Sequence, residues 1–130
     1  MATDPISRVL LVDDDPDLLT IGTLVLETFG GWEVVQATSG RDALARLQEQ
    51  LPDVVLLDVM MPGMDGLETL ARLRELPGGA ALPVVFMTAK VRPAEVESYL
   101  AAGAVGVVAK PFEPETLPDE VRRLVTGGVA

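Results

Sequence analysis

The sequence predicts an α/β fold, a doubly wound five-stranded parallel sheet made of roughly five strand–helix units, and three observations predict it. Five short Val-rich runs recur along the 130 residues: RVLLV (8–12), EVVQA (33–37), DVVLL (53–57), PVVFM (83–87) and VGVVA (105–109). The runs are nearly continuous in hydrophobicity instead of alternating, as strands covered on both faces must be. A segment with helix signals follows each of them, and strands that alternate with helices at this spacing build parallel sheets.

The elements follow in chain order. After the first run, Asp15 is placed to cap a helix with Pro16 at its first position, where the missing proline N–H costs nothing. Leu19, Gly22, Leu26 and Phe29 recur on one face of that helix before Gly30 and Gly31 end it. Ser39 with Asp42, and Asp65 with Glu68, have the spacing of a cap residue and a third-position acid, and open the second and third helices. Leu51-Pro52 and Leu76-Pro77-Gly78-Gly79 close them. Pro93 starts a fourth helix whose apolar side is expected to include Val96 and Leu100. Pro114 and Pro118 cannot share one regular helix, so a tight turn should precede a fifth helix that runs from about Pro118. Neither a linker nor a low-complexity tract interrupts the series, and residues 1–130 are expected to form one domain with a core from about 7 to 126.

Composition removes several kinds of chemistry. With neither cysteine nor histidine, the chain has no disulfide framework, no thiolate or imidazole metal ligand and no histidine base, so zinc enzymes and Ser-His-Asp hydrolases are excluded. The N-terminal MATDPISR has an acid where a signal peptide carries bases, and the longest uncharged stretch, YLAAGAVGVVA, is far short of the roughly 20 apolar residues of a membrane span. A soluble, cytoplasmic protein without membrane contact is expected. The formal net charge of −10 repels phosphate backbones, which argues against nucleic-acid binding by this chain and favours a divalent cation or a basic partner.

In doubly wound sheets, ligands bind beyond the carboxyl ends of the strands. Asp13 and Asp14 end the first strand there, Asp58 the third, Thr88 the fourth and Lys110 the fifth. Clustered carboxylates attract Mg²⁺, and a carboxylate can itself act as a nucleophile and become an aspartyl-phosphate. Phosphoryl transfer needs chiefly positioning and charge neutralisation, which a metal ion, an ammonium, a hydroxyl and backbone N–H groups supply without histidine.

The blocks LLVDDD, DVVLLDVMMPGMDG, PVVFMTAK and GVVAKPF, in this order and over nearly the whole chain, resemble the response regulator receiver domain, the CheY-like phosphoacceptor module of two-component signalling. The resemblance implies a flavodoxin-like fold with strand order 2-1-3-4-5, for which a member of this family is a standard example. It implies Asp58 as phosphoacceptor, with Asp14, Asp58 and the carbonyl of Met60 binding Mg²⁺ directly and Asp13 acting mainly through water. Thr88 and the N–H of Ala89 would contact the phosphoryl group, Lys110 would pair with it, and the Lys110–Pro111 bond would be cis. The implied partners are a sensor histidine kinase or histidine phosphotransfer protein and a downstream protein target. Catalysis would be limited to the protein's own phosphorylation and dephosphorylation. The face formed by the fourth helix and fifth strand, around Glu95, Tyr99 and Val105, is the expected output surface.

One departure stands out. Most members of the family carry Tyr or Phe three residues before the lysine, where this chain has Val107, so an aromatic that rotates at that position cannot report phosphorylation. Rival readings fare less well. Asp13 and Asp15 have the Asp-x-Asp spacing of haloacid dehalogenase-like phosphatases, but Asp17 stands where that pattern wants Thr or Val. Asp13, Asp15 and Asp17 also mimic the start of an EF-hand loop, whose sixth and twelfth positions need Gly and Glu; they hold Leu18 and Leu24. Against an interaction module that works without phosphorylation stands the complete Asp, Thr and Lys set.

Overall fold

The computed structural model describes residues 4–127. Five strands and five helices alternate: β1 Arg8–Val12, α1 Pro16–Gly30, β2 Glu33–Ala37, α2 Gly40–Glu49, β3 Val54–Asp58, α3 Gly66–Leu73, β4 Val84–Thr88, α4 Pro93–Ala101, β5 Gly106–Ala109 and α5 Leu117–Val125. The strands form one parallel sheet in the order β2-β1-β3-β4-β5. Side chains of successive strand residues leave opposite faces, so each strand feeds two cores. Leu10, Val12, Val55, Leu57 and Phe86 face α2 and α3 through Ala43, Leu47, Leu70 and Leu73. Val9, Leu11, Leu56, Val85 and Met87 face α1 and α5 through Leu19, Leu26, Leu117 and Val121. Continuous hydrophobicity holds for the central strands, whereas the edge strands β2 and β5 are partly exposed because each has a neighbour on one side only.

The capping residues act as their chemistry dictates. Asp15 accepts from the Asp17 N–H at 2.9 Å, Ser39 from Asp42 at 3.0 Å and Asp65 from Glu68 at 2.8 Å. The two third-position acids do not complete reciprocal boxes: Asp42 accepts from the Thr38 N–H instead, and Glu68 from Arg72. Gly31 closes α1 in the left-handed region at φ 72°, where its N–H reaches the Glu27 carbonyl.

Three expectations need correction. Phe29 is exposed, and Val25 is buried in its place. A 15-residue helix is about 22 Å long and a five-residue strand about 16 Å, so the last turn of α1 overhangs the sheet. On α4 the buried residue is Tyr99, while Leu100 is exposed, because consecutive helical residues lie about 100° apart and the larger ring takes the inward direction. Tyr99 therefore does not belong to an exposed output surface. Strands β3 and β4 begin one residue later than their apolar runs suggest. Asp53 is spent on the N–H groups of Ser7 and Arg8, at 2.7 and 2.9 Å, and Pro83 has no N–H to give a ladder.

Candidate functional site

The connection order places the switch in chain direction between β1 and β3, and the acidic residues stand at their carboxyl ends. Asp13 and Asp14 follow β1, and Asp58 is the last residue of β3. Carboxylate oxygens of all three lie within 4.8 Å of one another. Asp13 is buried and already occupied: one oxygen accepts from the Asp15 N–H at 2.9 Å and the other from Lys110 Nζ at 2.7 Å. Asp14, by contrast, is exposed. Asp58 is 6 % exposed; its Oδ1 lies 3.2 Å from Lys110 Nζ and 3.4 Å from the Met60 nitrogen, which donates to it.

One ammonium thus serves two buried carboxylates, Asp13 and Asp58, with Asp14 alongside them, and the balance is unfavourable to Asp58. Burial holds its carboxyl above the usual carboxylate range and the Asp13 charge adds to this, against the opposing pull of Lys110 and the Met60 N–H. Burial alone would lower the Lys110 ammonium, yet the hydrogen bond and charge of Asp13, with those of Asp58, outweigh it and hold Lys110 above its ordinary value. The donor set of hard oxygens with surplus negative charge fits a divalent cation of the Mg²⁺ kind, with exposed Asp14 the carboxylate free to turn toward it.

Thr88 ends β4 one residue beyond Met87, the register partner of Asp58. It is buried, and its hydroxyl oxygen accepts the Lys90 N–H at 3.1 Å, which leaves the hydroxyl proton free to donate. Ala89, the next residue, is exposed, and Met60 is 59 % exposed above Asp58. The Lys110–Pro111 peptide is cis. Gly66, whose role the sequence reading overlooked, supports the end of β3: its N–H donates to the Val59 carbonyl at 2.8 Å, and a Cβ there would collide with the Asp58 carbonyl. A glycine directly after a helix cap was the available signal.

Comparison with known proteins agrees with this geometry. Residues 9–122 match the family model of the response regulator receiver domain. The chain belongs to the response regulator receiver family. The receiver is 41 % identical over 115 residues to the DNA-binding response regulator MtrA of Mycolicibacterium smegmatis, an alignment that covers 88 % of this chain and 49 % of that protein. It is 39 % identical over 106 residues to an uncharacterised 14.6 kDa protein of Leptolyngbya boryana, covering 82 % and 80 % of the two chains. Among solved structures, the chemotaxis protein CheY4 of Vibrio cholerae superposes with a TM-score of 0.85 at 34 % identity, covering 92 % of this chain and 98 % of that one. The receiver thus spans about half the length of MtrA. It is a two-component signalling module of the CheY-like type, a family in which phosphorylation and Mg²⁺ are typical. Among the described residues, no helix is long and apolar enough to cross a membrane.

Proposed function

We propose that the receiver takes a phosphoryl group onto Asp58 from a phosphohistidine of a sensor histidine kinase or histidine phosphotransfer protein in the cytoplasm. The observation that carries this reading is the buried Asp58 carboxylate at the end of β3, flanked by Lys110 and by two further carboxylates. A carboxylate oxygen of Asp58 attacks phosphorus. The bond from phosphorus to the donor imidazole nitrogen breaks, and its electron pair leaves with the imidazole, which regains a proton from solvent. This sequence has no histidine, so the donor imidazole comes from outside it.

Asp14, Asp58 and the Met60 carbonyl would hold Mg²⁺, with Asp13 acting through water. Bound there, the ion would neutralise charge on the phosphoryl oxygens. Lys110 supplies a second positive charge at Asp58 Oδ1, while the Thr88 hydroxyl and the Ala89 N–H donate to the transferred group. A shallow apolar groove of about 300 Å³, lined in part by Leu18, Ile21, Phe112 and Pro114, borders Lys110 and offers the donor protein a place to rest. Output passes through protein contact at the exposed surface of α4 and β5, together with Val105, which immediately precedes β5; the net charge of −10 disfavours direct contact with nucleic acid.

The test is intact-mass measurement after incubation with acetyl phosphate and Mg²⁺. The wild type should gain one phosphoryl group, located on Asp58 by peptide mapping, and Asp58→Asn should gain none. Label on Asp13 would favour the phosphatase-like chemistry, and no label at all would favour an interaction module that works without phosphorylation.

A further inference from the structure

Tyr99 is the one residue of α4 that is fully buried, at 4 % exposure. Its ring packs against Phe86 of β4, two residues before Thr88, with centroids 5.4 Å apart and planes tilted by 58°. Its hydroxyl donates to the carbonyl of Lys90 at 3.1 Å. The same residue, Lys90, gives its N–H to the Thr88 hydroxyl oxygen, also at 3.1 Å. One exposed loop residue is therefore gripped from both sides, by Thr88 through its nitrogen and by Tyr99 through its oxygen.

A buried tyrosine needs a partner for its hydroxyl, and here the partner is loop backbone that could otherwise be solvated. Packing against Phe86 restrains the ring, so the hydroxyl cannot follow Lys90 without a movement of α4 itself. The far end of the loop is tied to the same helix, where the Arg92 N–H donates to Glu95 at 3.1 Å. On β5 the neighbouring position holds Val107, which packs against this core and has no hydroxyl to offer the loop.

We infer that Tyr99 is a positioning residue that passes the state of Thr88 to helix α4 through the Lys90 backbone. The inference rests on the phosphoacceptor reading above. When the Thr88 hydroxyl turns to donate to an anion on Asp58, its grip on the Lys90 N–H changes. The Lys90 carbonyl shifts with it, and the Tyr99 hydroxyl carries the change into the helix. The aromatic that serves this end stands on α4, the element that moves, and not on the strand beside it.

The experiment compares amide spectra of ¹⁵N-labelled wild type and Tyr99→Phe with Mg²⁺, before and after addition of beryllium fluoride as a phosphoryl mimic. The variant keeps the ring and removes only the hydroxyl. Loss of one uncharged hydrogen bond shifts a two-state balance by roughly two- to tenfold. Shifts at Met60 and Ala89 should therefore keep their wild-type size, while those from Glu97 to Ala101 should fall by about half or more. Helix shifts of wild-type size in Tyr99→Phe would overturn the inference while leaving the phosphoacceptor reading intact. Absence of any response in the wild type would overturn that reading and the inference with it. If Tyr99→Phe lost its folded spectrum before any addition, the hydroxyl would be a structural bond and the inference would fall.

Discussion

The two ends of the sheet hold charge in opposite ways. At the amino end, Arg122 Nε meets Asp4 at 3.0 Å, its Nη1 meets Asp119 at 2.9 Å, its Nη2 donates to the Gly30 carbonyl at 2.9 Å, and its guanidinium stacks 4.8 Å from the Trp32 ring. The Trp32 N–H donates to the same carboxylate of Asp4. Burial would raise Asp4, but the Trp32 and Ile6 N–H groups and Arg122 outweigh it and hold the carboxyl below its usual range. At the carboxyl end, Asp58 is held above that range in a site with more carboxylates than cations. The first cluster is satisfied and ties the residues before β1 to α1 and α5. The second is left short of positive charge, which suits the cation proposed to bind there.

Breaking the satisfied end should have the largest effect. Arg122→Ala removes two ion pairs, a carbonyl contact and a cation–π contact together, and should cost about 2 kcal/mol of stability in urea unfolding, followed by Trp32 fluorescence. Phosphate uptake at Asp58 should be unaffected, and a variant equal to wild type in stability would show that the cluster holds nothing.

Supplying the missing charge should have the next largest. Mg²⁺ at tenfold its Kd should stabilise the protein by about 1.4 kcal/mol by mass action, read as a higher Tm. Asp14→Ala should remove the gain; retained Mg²⁺ affinity in a titration of that variant would exclude Asp14 as a direct ligand.

A smaller gain should come from deleting the unfavourable charge. An acid whose folded-state pKa is raised contributes stability below its unfolded pKa and loses it as pH rises through the folded value. At neutral pH the ionised Asp58 therefore costs stability, and Asp58→Asn should melt higher than wild type in EDTA, although Lys110 loses a partner. The difference should close on acidification. Asp4 has the opposite sign, since its contribution is present above the ordinary carboxylate range and is lost as pH falls through its lowered value. A lower Tm for Asp58→Asn at neutral pH would mean that pairing with Lys110 outweighs burial.

The smallest effect concerns Met60, exposed above Asp58. A thioether cannot orient an attacking water as an amide can, so Met60→Asn should speed loss of the phosphoryl group by about fivefold, the worth of roughly one hydrogen bond. Equal decay in the two proteins, followed by mass or radiolabel, would exclude that role.

Much of this was legible in the residues. Strand runs, caps and glycine stops are local signals, because backbone propensity and side chain to backbone hydrogen bonds act within a few residues, and they located all ten elements to within a residue or two. The convergence of Asp13, Asp14, Asp58, Thr88 and Lys110 at one sheet edge also followed, since a parallel sheet puts every strand's carboxyl end on the same side. The units, their order and the chemical inventory of the site were thus readable from the residues alone. Which residue of α4 is buried, the pairing of Asp13 with Lys110 while Asp14 stays exposed, and the reach of Tyr99 to the loop behind Thr88 emerge from the packing of the layers. The physical reason is that orientation around a helix with two possible apolar stripes, and the sharing of one ammonium between Asp13 and Asp58 in a cluster of three carboxylates, depend on distances between chain segments far apart in sequence. No local pattern encodes those distances; they exist only once the layers have packed.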